Sequence, residues 1–529
     1  MRRAAVGVAA VVALVAPGVA SATSAHDATL ARRGIAHAVK QRWVKPADAQ
    51  RYRASVTRAL TDISRLPRLR ADVIASQLSQ VAPFSSSYTS PRALALFSQL
   101  EMNLSYFETN PLPSTRLDVA GDDGVVYRWF PRLGLEFHPL ANFGALNNDA
   151  ASSDVEATRM LADALLARAI PRSGRLIWEY QFRFEGGRPP WASGMAQAVA
   201  AQALARASAL LEDTTLATAA VRAFASVPPF LLTLPSGPWI RLYGFNGQIV
   251  LNAQLQAILS LLEYAQRSED PDAAALAQRL DTTAQALFSR FDTGDWSRYQ
   301  LGGAYATREY QKFVTDLLAK LARQTQEPFW VTTSQRFHDY LYSPPTVTQT
   351  APSPTIWPQP LDTYLDTAPV QITLSQRASV SLAVAGKLTT YRLGAGPHTI
   401  TWTPPEGLAP GTYPVQVSAV TYAGNRATFK LAPIVVRWDT LPPPITATLA
   451  GTTLTWQADD PGTPWLALAV DLTDPGAVNP PQTLDLGQLA TSGSTTLAVP
   501  PGTWQASLRA TNSAAQTTTV QLGTIVQPG

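Results

Sequence analysis

Between residues 343 and 368 the chain reads SPPTVTQTAPSPTIWPQP and onward, a run in which proline recurs every few positions. Proline lacks the backbone N–H that a helix interior or a central strand needs, so this stretch predicts a stiff, extended linker. It also separates two different hydrophobic rhythms. Before it, apolar residues recur at helical spacing; after it, they alternate in short runs set off by Gly, Pro and Asn. The expected organisation is a mainly α domain over residues 36–342, the linker over 343–368, and two all-β immunoglobulin-like sandwiches over 369–440 and 441–527. The segments GTYPVQVSAV and GTWQASLRAT occupy parallel places in the two sandwiches and suggest related modules.

Within the helical half, Pro46-Ala47-Asp48 predicts a helix start, because proline is tolerated in a first turn. A second helix is expected over 69–81. Ser153-Asp154-Val155-Glu156 has the form of a capping box with serine at the N-cap. SGMAQAVAAQALARASALL predicts a helix whose small side chains allow close packing, and Leu251, Leu255, Ile258 and Leu262 mark one face of another. Asp270-Pro271 opens a further helix, the next runs from the 308 region to about residue 325, and RFHDYL (336–341) is expected as a short final one. Residues 105–148 read as extended pieces and loops. Paired helices joined by irregular loops, with no parallel-strand rhythm, predict an α/α barrel or incomplete toroid.

Composition narrows the function. The 529 residues are 46% hydrophobic and 15% charged, which favours globular domains over a disordered chain. A net charge of +4 with no Lys/Arg run gives no footprint for nucleic acid. Cys is absent, which removes disulfides and thiolate chemistry. The five histidines, His26, His37, His138, His338 and His398, have no ligand spacing, so no metal or cofactor is expected. Asp122-Asp123-Gly124 reads as a turn, with a calcium loop as the alternative. Arg2-Arg3, the apolar run 4–15 and the small residues at 20–25 have the three parts of an export signal over residues 1–25. The protein is expected to be secreted or held at the cell envelope.

Residues 291–310, FDTGDWSRYQLGGAYATREY, gather aromatic and basic side chains behind an Asp292-Thr293-Gly294 turn. Such a loop at a helix start suits a sugar ring bearing a carboxylate: aromatics to stack, arginine to hold the acid, tyrosine to relay a proton. Capping of a hydrophobic core is the plainer alternative.

Five stretches carry a resemblance: GLEFHPLANFGALNN (134–148), PWASGMAQAVAAQALARA (190–207), WIRLYGFNGQIVLNA (239–253), FDTGDWSRYQL (291–301) and REYQKFVTDLLAKLA (308–322). In order and spacing, residues 124–341 resemble the C-terminal catalytic domain of the D-glucuronyl C5-epimerases, which convert glucuronate to iduronate within heparosan and heparan chains. The resemblance implies an isomerase acting on an acidic polysaccharide, with the family's catalytic tyrosines falling on Tyr243, Tyr299 and Tyr310. This chain departs from the pattern nearby. Leu242 stands where the family has an acidic residue, Gly302-Gly303 where an Arg-His pair follows, and Gln311 begins a run without the family's histidines.

Epimerisation at C5 removes a proton α to a carboxylate and returns it from the other face, so two proton-transfer groups and an enolate-stabilising donor are needed. An unperturbed phenol has a pKa near 10, so a basic tyrosine requires nearby positive charge. Arg241, Arg298 and Arg308 lie next to, or two places before, the three tyrosines; they are candidate substrate clamps or ordinary surface arginines. Tyr180 and Trp191 are candidates for stacking on sugar rings or for core packing. Glu136, His138 and Asn147 are candidate hydrogen-bonding partners of sugar hydroxyls, with a structural histidine as the alternative for His138. A polysaccharide lyase would share the first step and then expel the C4 substituent. A non-catalytic glycan-binding protein of the cell wall is the reading from another class.

Overall fold

The computed structural model describes residues 20–528. Most of the expected export signal, residues 1–19, lies outside them. Among the described residues no helix is long and apolar enough to cross a membrane. Contacts divide the described residues into two units, one ending at Leu341 and one beginning at Tyr342.

The first unit is mostly helical: α1 (Ala20–Lys40), α2 (Pro46–Arg65), α3 (Arg68–Val81), α4 (Ser90–Thr109), α5 (Pro139–Ala151), α6 (Val155–Ala167), α7 (Gly194–Leu211), α8 (Thr214–Phe224), α9 (Leu251–Ser268), α10 (Pro271–Leu287), α11 (Arg308–Thr325) and α12 (Pro328–Tyr342). Helices α1 to α4 pack on one another. After them α5, α7, α9 and α11 stand side by side, while α6, α8 and α10 each fold back onto the helix before. The alanine-rich α7 touches α5, α8 and α9, and Ala198, Ala200, Ala201, Ala203 and Ala207 are fully buried. Larger side chains there would force these helices apart.

Local signals place most helix starts. Pro46 occupies the first turn of α2, and Asp270 caps α10 by accepting from the backbone N–H groups of Asp272 and Ala273. The cap of α6 differs from the expected one by a residue. Asp154, not Ser153, caps it, accepting from Ala157 N at 3.0 Å, while Ser153 turns to a φ of 59°. A carboxylate is the stronger acceptor for a free helical N–H. Residues 126–137 form an antiparallel hairpin, Val126–Phe130 with Gly134–Phe137, but the following LANFGALNN is helix α5 and not a loop. Pro139 supplies its first turn and His138 its cap, so the proline that looked like a break is a beginning. Helix α12 is also longer than RFHDYL: Pro328 starts it, and Trp330, Phe337 and Tyr340 are buried along its length.

The second unit contains two sandwich-like modules of antiparallel sheets, each with a four-stranded and a three-stranded sheet. In the first module Ala378–Val384 and Gly411–Thr421 are the central strands of the larger sheet; in the second, Leu466–Thr473 and Gly502–Thr511 are. The two repeated segments thus occupy equivalent central strands, and each carries a bulge against its C-terminal neighbour. Val380, Leu382, Val417 and Ala419 fill one core; Leu468, Val470, Ala506 and Leu508 fill the other. The stretch expected as a linker belongs to the first module. Val347–Ala351 adds to its three-stranded sheet as an edge strand, and Ile356, fully buried, bridges to Val436. TVTQTA is free of proline and β-branched at alternate positions, and its flanking prolines are tolerated at an edge.

Candidate active site

The loops that precede α7, α9 and α11 are stitched together at the helix starts. Gly194 N donates to Arg241 O at 3.0 Å, Gly244 N to Ala192 O at 2.8 Å, and Leu251 N to Tyr299 O at 3.3 Å. Gly244 is needed for this closeness, since a Cβ there would stand 2.5 Å from the Ala192 carbonyl oxygen. The Asp292 turn forms as expected: Gly294, at φ 83°, donates its N–H to Asp292 Oδ1 at 2.9 Å. The same carboxylate receives Arg336 Nε at 2.8 Å and the Tyr340 hydroxyl at 3.0 Å, which ties the loop to α12.

This lacing brings Tyr243 and Tyr299 together, with their hydroxyl oxygens 3.2 Å apart. Tyr243 is buried and Tyr299 half-buried. Around them lies an aromatic wall. Tyr180 and Trp191 stack at 4.0 Å with planes 2° apart, Trp191 meets Tyr243 edge-on at 6.0 Å, and Phe184 and Phe245 approach the Tyr243 ring at 5.5 and 5.6 Å. Trp191 is fixed by its indole N–H on the Phe182 carbonyl at 2.8 Å.

Tyr310 joins the group from behind. Its ring meets that of Tyr299 edge-on at 4.9 Å, but its hydroxyl is already engaged. It accepts from Asn252 N at 3.1 Å and lies 3.1 Å from both Asn252 Oδ1 and Tyr299 O, either of which can take its proton. At 2% exposure, this side chain positions the Tyr299 backbone.

The electrostatics differ from the expected cationic surroundings. Burial raises the pKa of Tyr243 well above the ordinary phenol value, and the neighbouring Tyr299 and Glu185 raise it further. Tyr299 is also raised, by burial first, although its hydrogen bond with Tyr243 works against the shift. Burial and neighbouring oxygen groups, not arginines, are the largest influences on both phenols. Arg298 donates to Gly303 O at 2.5 Å and its guanidinium stands 5.5 Å from the Tyr305 ring centre, while Arg308 is exposed at the first position of α11. Arg241 is half-buried, and its Nε is buried without a hydrogen-bond partner. Both phenols are therefore neutral at rest.

Glu185 was not singled out by sequence. It sits at the tip of the hairpin closed by the Tyr180–Trp191 and Phe184–Gly187 bridges, beside the Phe184 that touches Tyr243. The side chain is exposed overall, but the atoms packed around it partly shield the carboxylate and raise its pKa, and its charge acts on both phenols. The only linear hint was its place in the Gly186-Gly187 turn, which exposes a neighbouring carboxylate to whatever the hairpin overhangs.

Of the remaining candidates, Glu136 and Asn147 lie elsewhere and His138 borders the wall. Glu136 is fully buried between α3 and α4, where its Oε1 accepts from Gln77 and Gln80 at 2.7 and 2.9 Å and its Oε2 has no partner. Burial pushes its carboxyl up to about 7. It is a core group: all four residues of its strand, Gly134–Phe137, are buried. His138 caps α5 through Nδ1, which accepts from Ala141 N at 3.1 Å, and its ring meets Tyr180 edge-on at 5.2 Å. Burial holds it well below the usual imidazole pKa, so it is neutral and borders the aromatic wall. Asn147 lies two turns further along α5, about 12 Å from the helix start. There it bonds Gln202 at 3.3 Å within a cluster in which Arg206 and Arg267 pair with Glu263. That cluster sits toward the C-terminal ends of α7 and α9, away from the phenols.

Comparison with known proteins bears on the same segment. Residues 172–339, about a third of the chain, match the family model described as D-glucuronyl C5-epimerase C-terminus. Tyr243, Tyr299, Tyr310 and Glu185 fall inside the match; Glu136, His138 and Asn147 do not. No curated protein matches the chain. Among solved structures, an endoglucanase from Komagataeibacter sucrofermentans is 13% identical over 36% of this chain and 68% of its own, with a TM-score of 0.28. A D-mannose isomerase is 13% identical over 46% and 68%, with a TM-score of 0.32. A cellobiose 2-epimerase from Bacillus thermoamylovorans is 10% identical over 60% and 75%, with a TM-score of 0.26. Likeness at this level carries no argument about chemistry.

Proposed function

We propose that this is an exported carbohydrate-active isomerase that inverts C5 of uronate residues in an acidic polysaccharide, working in an incomplete α/α toroid that precedes two immunoglobulin-like modules. The observation that carries the reading is the 3.2 Å pair of phenols from two separate loops, set against an aromatic wall inside the segment that matches the epimerase model.

Two neutral phenols in hydrogen-bonding contact are proton donors. As one gives its proton to the enolate, the other's O–H stabilises the phenolate left behind. The first proton needs an acceptor, and Glu185 is the carboxylate whose charge reaches both phenols. In this scheme Glu185 takes the C5 proton, a phenol returns one to the opposite face, and the proton on Glu185 then passes back to the phenolate. The hairpin thus provides the acid that Leu242 does not. Arg241, half-buried two residues before Tyr243, is the guanidinium suited to the uronate carboxylate and to the enolate it becomes. Tyr180 and Trp191 are buried and stacked on each other, so they back the wall, and the half-buried Phe184 and Phe245 are the rings left to face a sugar.

The test is incubation of the full chain with a panel of uronate polysaccharides in deuterated water, read by NMR at C5. Deuterium at C5 in an intact polymer, lost on Tyr299→Phe, is the expected result. Ultraviolet absorbance from an unsaturated uronate would identify a lyase instead. Binding without exchange or cleavage would leave a glycan-binding protein.

A further inference from the structure

The second unit holds a cleft of about 470 Å³ where the two sandwich-like modules meet, lined among others by Trp357, Arg437, Trp438, Pro442, Asp459 and Asp460. That volume falls in the range of small-ligand sites. We propose that this cleft binds a neutral oligosaccharide, independently of the chemistry in the helical unit.

The cleft is built by both modules and held in shape before any ligand arrives. Asn512, 1% exposed, donates through its side-chain amide to Asp439 Oδ2 at 2.9 Å and Asp460 Oδ2 at 3.1 Å. Gly462 packs so closely on Trp357 that a Cβ would meet the indole at 2.8 Å, and the Arg437 guanidinium stands 5.8 Å from the same ring centre. Trp357 is therefore a fixed wall. Trp438 is half-buried, with its indole N–H donated to Leu408 O at 3.1 Å. An anchored tryptophan in a cleft wall offers an apolar face to the C–H groups of a sugar ring at little entropic cost.

The polar groups select the kind of sugar. Asp459 and Asp460 accept hydrogen bonds from hydroxyls, and Arg437 donates to ring or hydroxyl oxygens. Three aspartates stand against one arginine, counting Asp439, so a polymer carrying carboxylates or sulfates meets net repulsion. A neutral, hydroxyl-rich chain does not. The cleft and the phenol pair therefore suit different glycans, one to be held and one to be altered.

The experiment titrates the full chain calorimetrically with cellohexaose, xylohexaose, mannohexaose and a heparosan hexasaccharide. The expected result is binding of at least one neutral hexasaccharide that weakens tenfold or more in Trp438→Ala and in Asp459→Asn, and is unchanged in Tyr299→Phe. Asp459 is exposed, so its variant tests the site even where Trp438→Ala impairs folding. Absence of binding by all three neutral probes, or binding that is unaltered in Asp459→Asn and lost in Tyr299→Phe, would overturn the proposal. Absence of C5 exchange in the parent chain, with neutral-sugar binding intact, would count against the phenol pair alone.

Discussion

The hydroxyls of Tyr243 and Tyr299 meet at 3.2 Å across 56 residues of intervening chain. Each is carried on a loop whose backbone is bonded to the start of a neighbouring helix, so the pair is set by helix packing and not by either loop alone. Tyr243→Phe and Tyr299→Phe are each expected to lower C5 exchange by about 10²-fold or more. The double variant should fall little further, because the two phenols act as one unit. Exchange rates in the four proteins of this cycle, alongside their melting temperatures, provide the check.

Glu185→Gln tests the proton acceptor. The side chain is exposed at a hairpin tip, so the melting temperature should stay near that of the parent. Exchange should drop by about 10²–10⁴-fold, and the acidic limb of the pH–rate profile should disappear. An unchanged profile would remove Glu185 from the mechanism.

Tyr310→Phe should act through structure. Its hydroxyl serves Asn252 and the Tyr299 carbonyl, and its loss leaves buried polar groups unpaired at a cost of about 1–3 kcal/mol. A lowered urea midpoint, with slower exchange but an unshifted pH optimum, is the expected signature of a positioning residue.

Glu136 predicts a pH dependence of stability. Its carboxyl titrates at about 7 when folded, above the value of 4.5 for a free side chain, because burial disfavours the charge. The folded state therefore holds the proton more tightly. The stabilisation is complete below about pH 4.5, falls by about 1.4 kcal/mol per unit as pH rises toward 7, and is lost above that. Glu136→Gln should flatten this slope, as read by denaturant midpoints between pH 4.5 and 8.

Gly244→Ala should unfasten the site. The new methyl would collide with the Ala192 carbonyl oxygen at 2.5 Å and with the Phe230 ring at 2.9 Å. A destabilisation of about 1–3 kcal/mol is expected. Exchange should fall as the Tyr243 loop pulls away from the start of α7.

Much of the fold was readable along the chain. Pro46, Asp270 and Ser193 mark helix starts through the chemistry of a first turn, and the two GT-containing strands announce a duplicated module. The errors have local causes as well. Pro139 serves equally as a break or as a first helical residue, and residues 347–351 become a strand only because Ala368–Leu374 offers them an open edge.

Residue type and spacing settled where several helices begin, among them α2, α7 and α10, where the long sheet-rich part of the chain lies, and that tyrosines and arginines crowd the loops before α9 and α11. Those are properties of a few consecutive residues, governed by backbone sterics and periodicity. Contact across distant loops could not be inferred that way. Packing of α7, α9 and α11 paired Tyr243 with Tyr299, turned Tyr310 into a support, buried Glu136 among glutamines and put Glu185 where arginines were expected. Burial and neighbouring charge set the protonation of each group, and both depend on segments far away in the chain.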